Sequence, residues 1–169
     1  MADIAAEASI SQGLAYRYFS GKGEIFATLV KEVTASGGGP AERIKQIKGT
    51  PSTRLALIVT YILEDRRQNP GFSQLLYQAL ADDSTPGDLR QRIFKSGKAI
   101  QDLMRQLVVE GQATGEVAKG DPDEIMVALL ACFDGLVKRA TMLSPEDNAK
   151  HFPDARVILR MLKPDQGAG

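Results

Sequence analysis

The stretch from Ile4 to Lys22 decides the fold: Ile4-Ala5-Ala6-Glu7-Ala8-Ser9-Ile10-Ser11-Gln12-Gly13-Leu14-Ala15-Tyr16-Arg17-Tyr18-Phe19-Ser20-Gly21-Lys22. Its patterning predicts a short helix from Ala2 to Ala8, a turn at Ser9-Ile10-Ser11, and a second helix from Gln12 to Phe19. A third helix is expected from Lys22 to about Thr34. Three short helices joined by tight turns suggest a helix-turn-helix. Ser11 stands where an N-cap belongs, with a hydroxyl and free N–H groups to offer a phosphate.

Outward from this unit the chain reads as helical nearly throughout. Gly37-Gly38-Gly39-Pro40 is the clearest linker, and neither a preceding strand nor a following Gly-Lys-Ser/Thr supports a phosphate loop there. Pro40 to Ile47 is expected to be a short helix. Leu55, Ile58, Val59, Ile62 and Leu63 mark one face of a helix ending near Asn69-Pro70, and Phe72, Leu75, Leu76, Ala79 and Leu80 mark the next. A longer helix runs from Pro86 to a stop at Gly111. Asp121-Pro122 with Glu124 opens another, to about Met142, and a last helix is expected from about Pro153 to Leu162. The tail from Asp165 should fray. The fold class is therefore all-α, with a reading head at residues 1–36 and a helical body at residues 40–164.

Composition narrows the function. Twenty-one basic and 21 acidic residues cancel, which excludes coating of nucleic acid or membrane by bulk charge. Hydrophobic residues at 43% and charged ones at 25% fit a soluble globule rather than a disordered chain. The single cysteine, Cys132, cannot form an intramolecular disulfide, so a reducing compartment is expected. Neither a signal peptide nor a bilayer-spanning run is visible.

Despite the neutral total, Ser11 to Lys22 holds two cations, Arg17 and Lys22, and no acid. Tyr hydroxyls and Lys ammonium groups suit phosphates, and a helix N-terminus can enter a major groove. The quoted stretch resembles the DNA-binding signature of the tetracycline-repressor (TetR) family. That signature is followed by a helix with acidic then apolar residues, here Glu24, Ile25, Phe26 and Leu29. Ala113 through Gly135-Leu136 is similar to the regulatory domain of the same family.

The resemblance implies roles by position. Ser11, Tyr16, Tyr18 and Lys22 would contact phosphates; Gln12, Gly13 and Leu14 would lie at base edges, with Gly13 permitting close backbone approach. Gln12 could pair with adenine, Leu14 could touch a thymine methyl, and Arg17 could serve either class of contact. Ile4, Ala8, Ile10, Ala15 and Phe19 would form the small core of the head. Ser9 stands where the family usually has glycine, at a cost of about 1 kcal/mol if φ is positive. Ala15 thins the core, and Gly21 replaces a usual Ser or Thr cap. The family also implies a helix and basic arm ahead of Met1, and without that helix Ile4, Ile10 and Phe19 are expected to be exposed. The head is thus expected to be incomplete, either as a shortened form of a longer protein or as a natural short form with impaired DNA binding.

For the body, the resemblance implies an effector pocket, with Tyr61, Phe72, Leu76, Tyr77, Ile100, Met104 and Phe133 as candidates. It also implies a homodimer pairing through the last two long helices, with Ala128, Cys132, Gly135, Val157 and Met161 at the interface. The expected partners are a palindromic double-stranded DNA operator and a small-molecule effector; the expected location is the bacterial cytoplasm. The function expected is that of a ligand-responsive transcriptional regulator, most often a repressor in this family. A dimeric sensor or interaction module with a disabled head is the alternative. An enzyme is not expected: Cys132, His151, Glu64-Asp65 and Asp82-Asp83 lack any supporting catalytic constellation, and neither cofactor nor metal is called for.

Overall fold

Pro, Asn, Asp and Ser punctuate the chain at nearly every helix boundary, and the computed structural model shows how each acts. It describes residues 1–35, 44–83, 85–144, 146–147 and 152–164. Among them are eight α-helices, one terminal 3₁₀ turn and no strand. The expected linker at Gly37–Pro40, the first half of the Pro40–Ile47 helix, His151 and the tail from Asp165 lie outside the described residues.

The head comprises α1 (Ala2–Glu7), α2 (Gln12–Tyr18) and α3 (Lys22–Ala35). The body comprises α4 (Pro51–Gln68), α5 (Pro70–Ala81), α6 (Gly87–Ala113), α7 (Pro122–Ala140) and α8 (Ala155–Leu159), which runs into the 3₁₀ turn Arg160–Leu162. Thr50 caps α4, accepting the Thr53 N–H at 3.4 Å, and Pro51 fills the first helical position. Asn69 closes α4 and opens α5, where Pro70 forces the chain to begin a new helix. Asp121 accepts the Asp123 N–H at 2.8 Å ahead of Pro122, as its spacing predicts.

One expected boundary moves. Gly111 is not the stop of α6; the helix continues to Ala113. Gly111 is there because the returning chain touches it. An added Cβ would lie 2.3 Å from Val117 Cγ2, and the Gly111 carbonyl accepts both the Glu116 and Val117 N–H groups, at 2.8 and 3.1 Å. The turn itself uses Gly115 at φ +73 and Gly120 at φ +139, conformations open to glycine. Gln112 ties it down through its side-chain amide to the carbonyls of Ala118 and Gly120.

The main core lies among α4, α6, α7 and α8. Leu55, Ile58, Val59, Met104, Leu107, Val108, Leu129 and Phe133 are sealed within it. These are the apolar stripes that the i, i+3, i+4 spacing marks. A second, smaller cluster joins Val30 of α3 to Ala79 of α5 and to Leu89 and Ile93 of α6, with Phe26, Ala27 and Leu76 at its edge. This cluster attaches the head to the body. Among the described residues, no helix is long and apolar enough to cross a membrane.

Candidate nucleic-acid interface

The head is held by small side chains. Met1, Ala5 and Ala15 are its buried residues, with Phe19 and Ile25 packed against them. Ala8 of the expected core is exposed, which corrects that assignment, and Ile4 and Ile10 are 38% and 41% exposed. On a six-residue helix, Met1 and Ala5 are one turn apart and share the face toward α2, which turns Ile4 aside. Ala15 and Phe19 pack as expected.

The turn between α1 and α2 has Ser9 at φ 55, the left-handed conformation for which the family uses glycine. Its amide reaches Ala6 and that of Ile10 reaches Ala5, at 3.0 and 2.9 Å, so the short path is enforced by backbone bonds. Ser11 then caps α2, accepting the Leu14 N–H at 3.1 Å.

That cap leaves one broad face of α2 open. Ser11, Gln12, Gly13, Leu14, Tyr16, Arg17, Tyr18 and Lys22 are all exposed, while Ala15 between them is 4% exposed. Nothing stands within 4 Å of where a Gly13 Cβ would be, so the backbone at that position is accessible to a large partner. Tyr18 is the most open of these, 72% exposed. An exposed aromatic of that size has no packing role within the fold.

Sequence reasoning missed how α3 begins. Gly21 is not left to cap alone; the Glu24 carboxylate turns back and accepts both the N–H and the hydroxyl of Ser20, each at 2.7 Å. These bonds hold its carboxyl below the usual carboxylate range. The Ser-x-x-x-Glu spacing was the available signal. The consequence is electrostatic: the Glu24 carboxylate is held on the Ser20 backbone and hydroxyl.

In the body, Met104 and Phe133 lie in the main core with Ile100 against it, Leu76 belongs to the head-attaching cluster, and Tyr61 is half-exposed on α4. Phe72 is partly buried. A groove of about 230 Å³ between α5 and α7 is lined by Gln74, Tyr77, Asp134, Val137, Lys138 and Thr141; of the seven pocket candidates, it takes in Tyr77. Beside it, the Tyr77 hydroxyl donates to Asp134 Oδ1 at 2.5 Å, and the Arg66 guanidinium reaches both groups, at 3.3 and 3.4 Å. Sequence gives no signal for this triad, because its members are far apart in the chain and on three helices. Of the dimer candidates, Ala128, Gly135, Val157 and Met161 are exposed and Cys132 partly so; Val127, which the sequence reading passed over, is 67% exposed beside Ala128.

Comparison with known proteins agrees with this arrangement. Residues 1–29 match the profile of bacterial regulatory proteins of the tetR family, and residues 65–155 match the tetracyclin repressor-like C-terminal domain. The chain is 31% identical over 110 residues to the nucleoid occlusion factor SlmA of Marinomonas sp., and 30% identical over 140 residues to SlmA of Salmonella paratyphi B. The first match takes in 64% of the chain and 55% of the relative; the second takes in 82% and 70%. The fold is similar to that of the MbdR regulator from Azoarcus sp. CIB (TM-score 0.66, 22% identity, 94% of this chain and 85% of that one). It is also similar to FadR from Bacillus subtilis, crystallised with stearoyl-CoA (TM-score 0.57, 24% identity, 94% and 83%). At such identities the structures speak for the fold alone. With a matched reading head, a matched body and relatives aligned over most of the chain, the protein belongs to the TetR family of DNA-binding regulators, whose fold is that of transcription regulators rather than enzymes.

Proposed function

We propose that the protein is a homodimeric, ligand-responsive repressor, released from a palindromic operator when a small molecule binds its body. The observation that carries the reading is the open α2 face, where eight residues suited to phosphates and base edges stand exposed around a single buried alanine. Ser11, Tyr16, Tyr18 and Lys22 are assigned to phosphates, Gln12, Gly13 and Leu14 to base edges, and Arg17 to either. The division into a head at residues 1–36 and a body at residues 40–164 belongs to the same proposal. So does pairing through the outer faces of α7 and α8, at Ala128, Cys132, Gly135, Val157 and Met161. A two-fold pair presents two α2 helices to successive major grooves, which requires a palindrome.

The effector acts by favouring a body conformation in which the two heads no longer match that spacing. A coupling of about 1–3 kcal/mol is enough to lower occupancy several-fold to about a hundredfold. Tyr61, Phe72, Leu76, Tyr77, Ile100, Met104 and Phe133 are the residues proposed to sense it.

A second reading is favoured by the SlmA relatives, whose name describes a nucleoid occlusion factor. In it the chain binds chromosomal sites as such a factor, without a small effector. Fluorescence anisotropy of the chain, and of a version extended at its amino terminus, against a mixed-sequence duplex at several salt concentrations tests the DNA interaction itself. Salt-dependent binding supports both readings; its absence from both forms leaves a dimeric interaction module instead. Effector screening by thermal shift then divides the first reading from the second.

A further inference from the structure

Asp134 and Lys138 stand one turn apart on α7, with the acid on the N-terminal side, the better order for an i, i+4 ion pair. The same spacing closes on α6 even in the poorer order, where Lys98 Nζ lies 2.8 Å from Asp102 Oδ1. On α7 it does not close. Asp134 Oδ1 is taken instead by the Tyr77 hydroxyl of α5 and by the Arg66 guanidinium of α4, at 2.5 and 3.4 Å. Arg66 is 17% exposed and lies 5.5 Å from the centre of the Phe133 ring, so this competing partner is fixed in place. Lys138 is left exposed, without a carboxylate partner among the described residues.

Lys138 lines the groove of about 230 Å³ between α5 and α7. Val137, 4% exposed, lines it too, and so does Gln74, whose side-chain amide bonds nothing among the described residues. Burial, and then the bond to Asp134, hold the Tyr77 hydroxyl above its usual range. That hydroxyl donates to Asp134 and accepts from Arg66, so what Tyr77 has left for the groove is its ring. The charges at the groove, Arg66, Asp134 and Lys138, leave one positive charge in excess. We infer that the groove binds a small organic carboxylate, its anionic end on the Lys138 ammonium and the Gln74 amide and its apolar body against Val137 and the Tyr77 ring. This binding deepens the proposed effector reading by giving the ligand a chemical class, and it rests on that reading only for its consequence. Charge-assisted hydrogen bonds to a carboxylate are the stronger kind, and here both donors are unengaged. A cavity of roughly 150 Å³ takes a benzene ring, so the groove has space for a ring and the carboxylate it carries. Asp134 Oδ2 carries no bond among the described residues, which makes an amine the competing ligand.

Benzoate is the probe, with benzamide (the same shape without the charge) and benzylamine (the opposite charge) beside it. Each is titrated into the full chain and followed by amide chemical shifts. Benzoate should shift residues 74–78 and 134–141 saturably, with a Kd of about 1 mM. Benzamide and benzylamine should bind at least about tenfold more weakly, the factor that goes with losing one charged hydrogen bond. Lys138→Met removes the charge and keeps most of the length; it should weaken benzoate by about the same factor, and Lys138→Arg should restore it. Lys138 is exposed, so neither substitution disturbs the core, and unchanged shifts elsewhere in the chain verify the fold. No saturable shift at the groove, benzoate binding that survives Lys138→Met, or benzylamine bound as tightly as benzoate overturns the inference. Anisotropy of a mixed-sequence duplex with and without saturating benzoate addresses the effector reading separately. Benzoate that fills the groove and leaves DNA bound sinks that reading and keeps the site; release of DNA by benzoate with no shift at the groove sinks the site and keeps the reading.

Discussion

Replacing Gly111 with alanine gives the sharpest test of how the body is closed. On helix propensity alone, Gly→Ala inside α6 should stabilise by about 1 kcal/mol. The structure reverses that sign. The new Cβ would lie 2.3 Å from Val117 Cγ2 and 3.1 Å from its Cβ, against about 3.5 Å or more for relaxed carbon contacts. Val117 would have to withdraw by about 1 Å, yet it is 2% exposed and its segment is pinned. The amides of Glu116 and Val117 bond Gly111, and that of Ala118 bonds the Leu162 carbonyl at 2.9 Å. Overpacking of this kind costs about 1–3 kcal/mol. A contact of 2.3 Å against a pinned side chain belongs in the upper half of that range, about 2–3 kcal/mol, so after subtracting the propensity gain the variant should be less stable by about 1–2 kcal/mol, a fall of roughly 2–8 °C in Tm. Urea titration and thermal unfolding at fixed protein concentration measure it. Val117→Ala alone should cost about 2 kcal/mol, and the double variant should be better than the sum by about 1 kcal/mol or more, because the methyl that clashed is gone. A Gly111→Ala protein as stable as its parent would refute the reasoning outright.

Other expectations concern the head. Lys22→Ala should weaken DNA binding about equally on all sequences and lower the slope of log affinity against log salt by about one phosphate's worth; a change confined to one sequence would argue against a phosphate role. Gln12→Ala should instead relax discrimination at a single base pair, read by competition among duplexes that differ there. Ser9→Gly relieves the positive φ and should raise head stability by up to about 1 kcal/mol, whereas Ser11→Ala loses the cap and should lower it by about 1 kcal/mol, both read from exchange in α1 and α2. On acidification, Glu24 and Asp154 follow one sign. Their carboxyls are held low in the fold, by Ser20 for Glu24 and by Arg156 for Asp154, which is depressed to about 2. Their contributions are complete above the ordinary carboxylate values and vanish as pH falls through the depressed ones. Stability should therefore decline from about pH 4.5 toward pH 2, with Glu24→Gln flattening the upper part of that decline.

The head and the main helices are legible because local rules govern them. Ser11, Asp121-Pro122 and Asn69-Pro70 act through neighbours within four residues, and the stripe Leu55-Ile58-Val59-Ile62-Leu63 carries its own period. The positive φ at Ser9 is expected only through the resemblance, whose pattern has glycine there. What escapes is decided by contacts across the chain. Gly111 looks like a helix stop until Val117 is folded back onto it. Ile4 looks like core until the shortness of α1 shows that Met1 and Ala5 own the inward face. The Arg66–Tyr77–Asp134 triad has no periodic signature, and the candidate pocket residues, one apolar population in the sequence, scatter: Ile100, Met104 and Phe133 go to one cluster, Leu76 to another, and Tyr61, Phe72 and Tyr77 to neither.

The fully buried part of the reading head's core is two alanines and a methionine, with Phe19 and Ile25 packed against them. A buried alanine methyl contributes about 0.8 kcal/mol, so this core supplies only a few kcal/mol against the entropy of ordering α1, its turn and α2. The described helices α1 and α2 therefore draw order from α3, whose Ile25 packs against them. If, as proposed, α2 reads an operator, that operator is also a folding partner. Part of the binding energy is spent on making the reader, so affinity and head stability rise and fall together, and a substitution such as Ser9→Gly that never meets a base should tighten binding on every sequence.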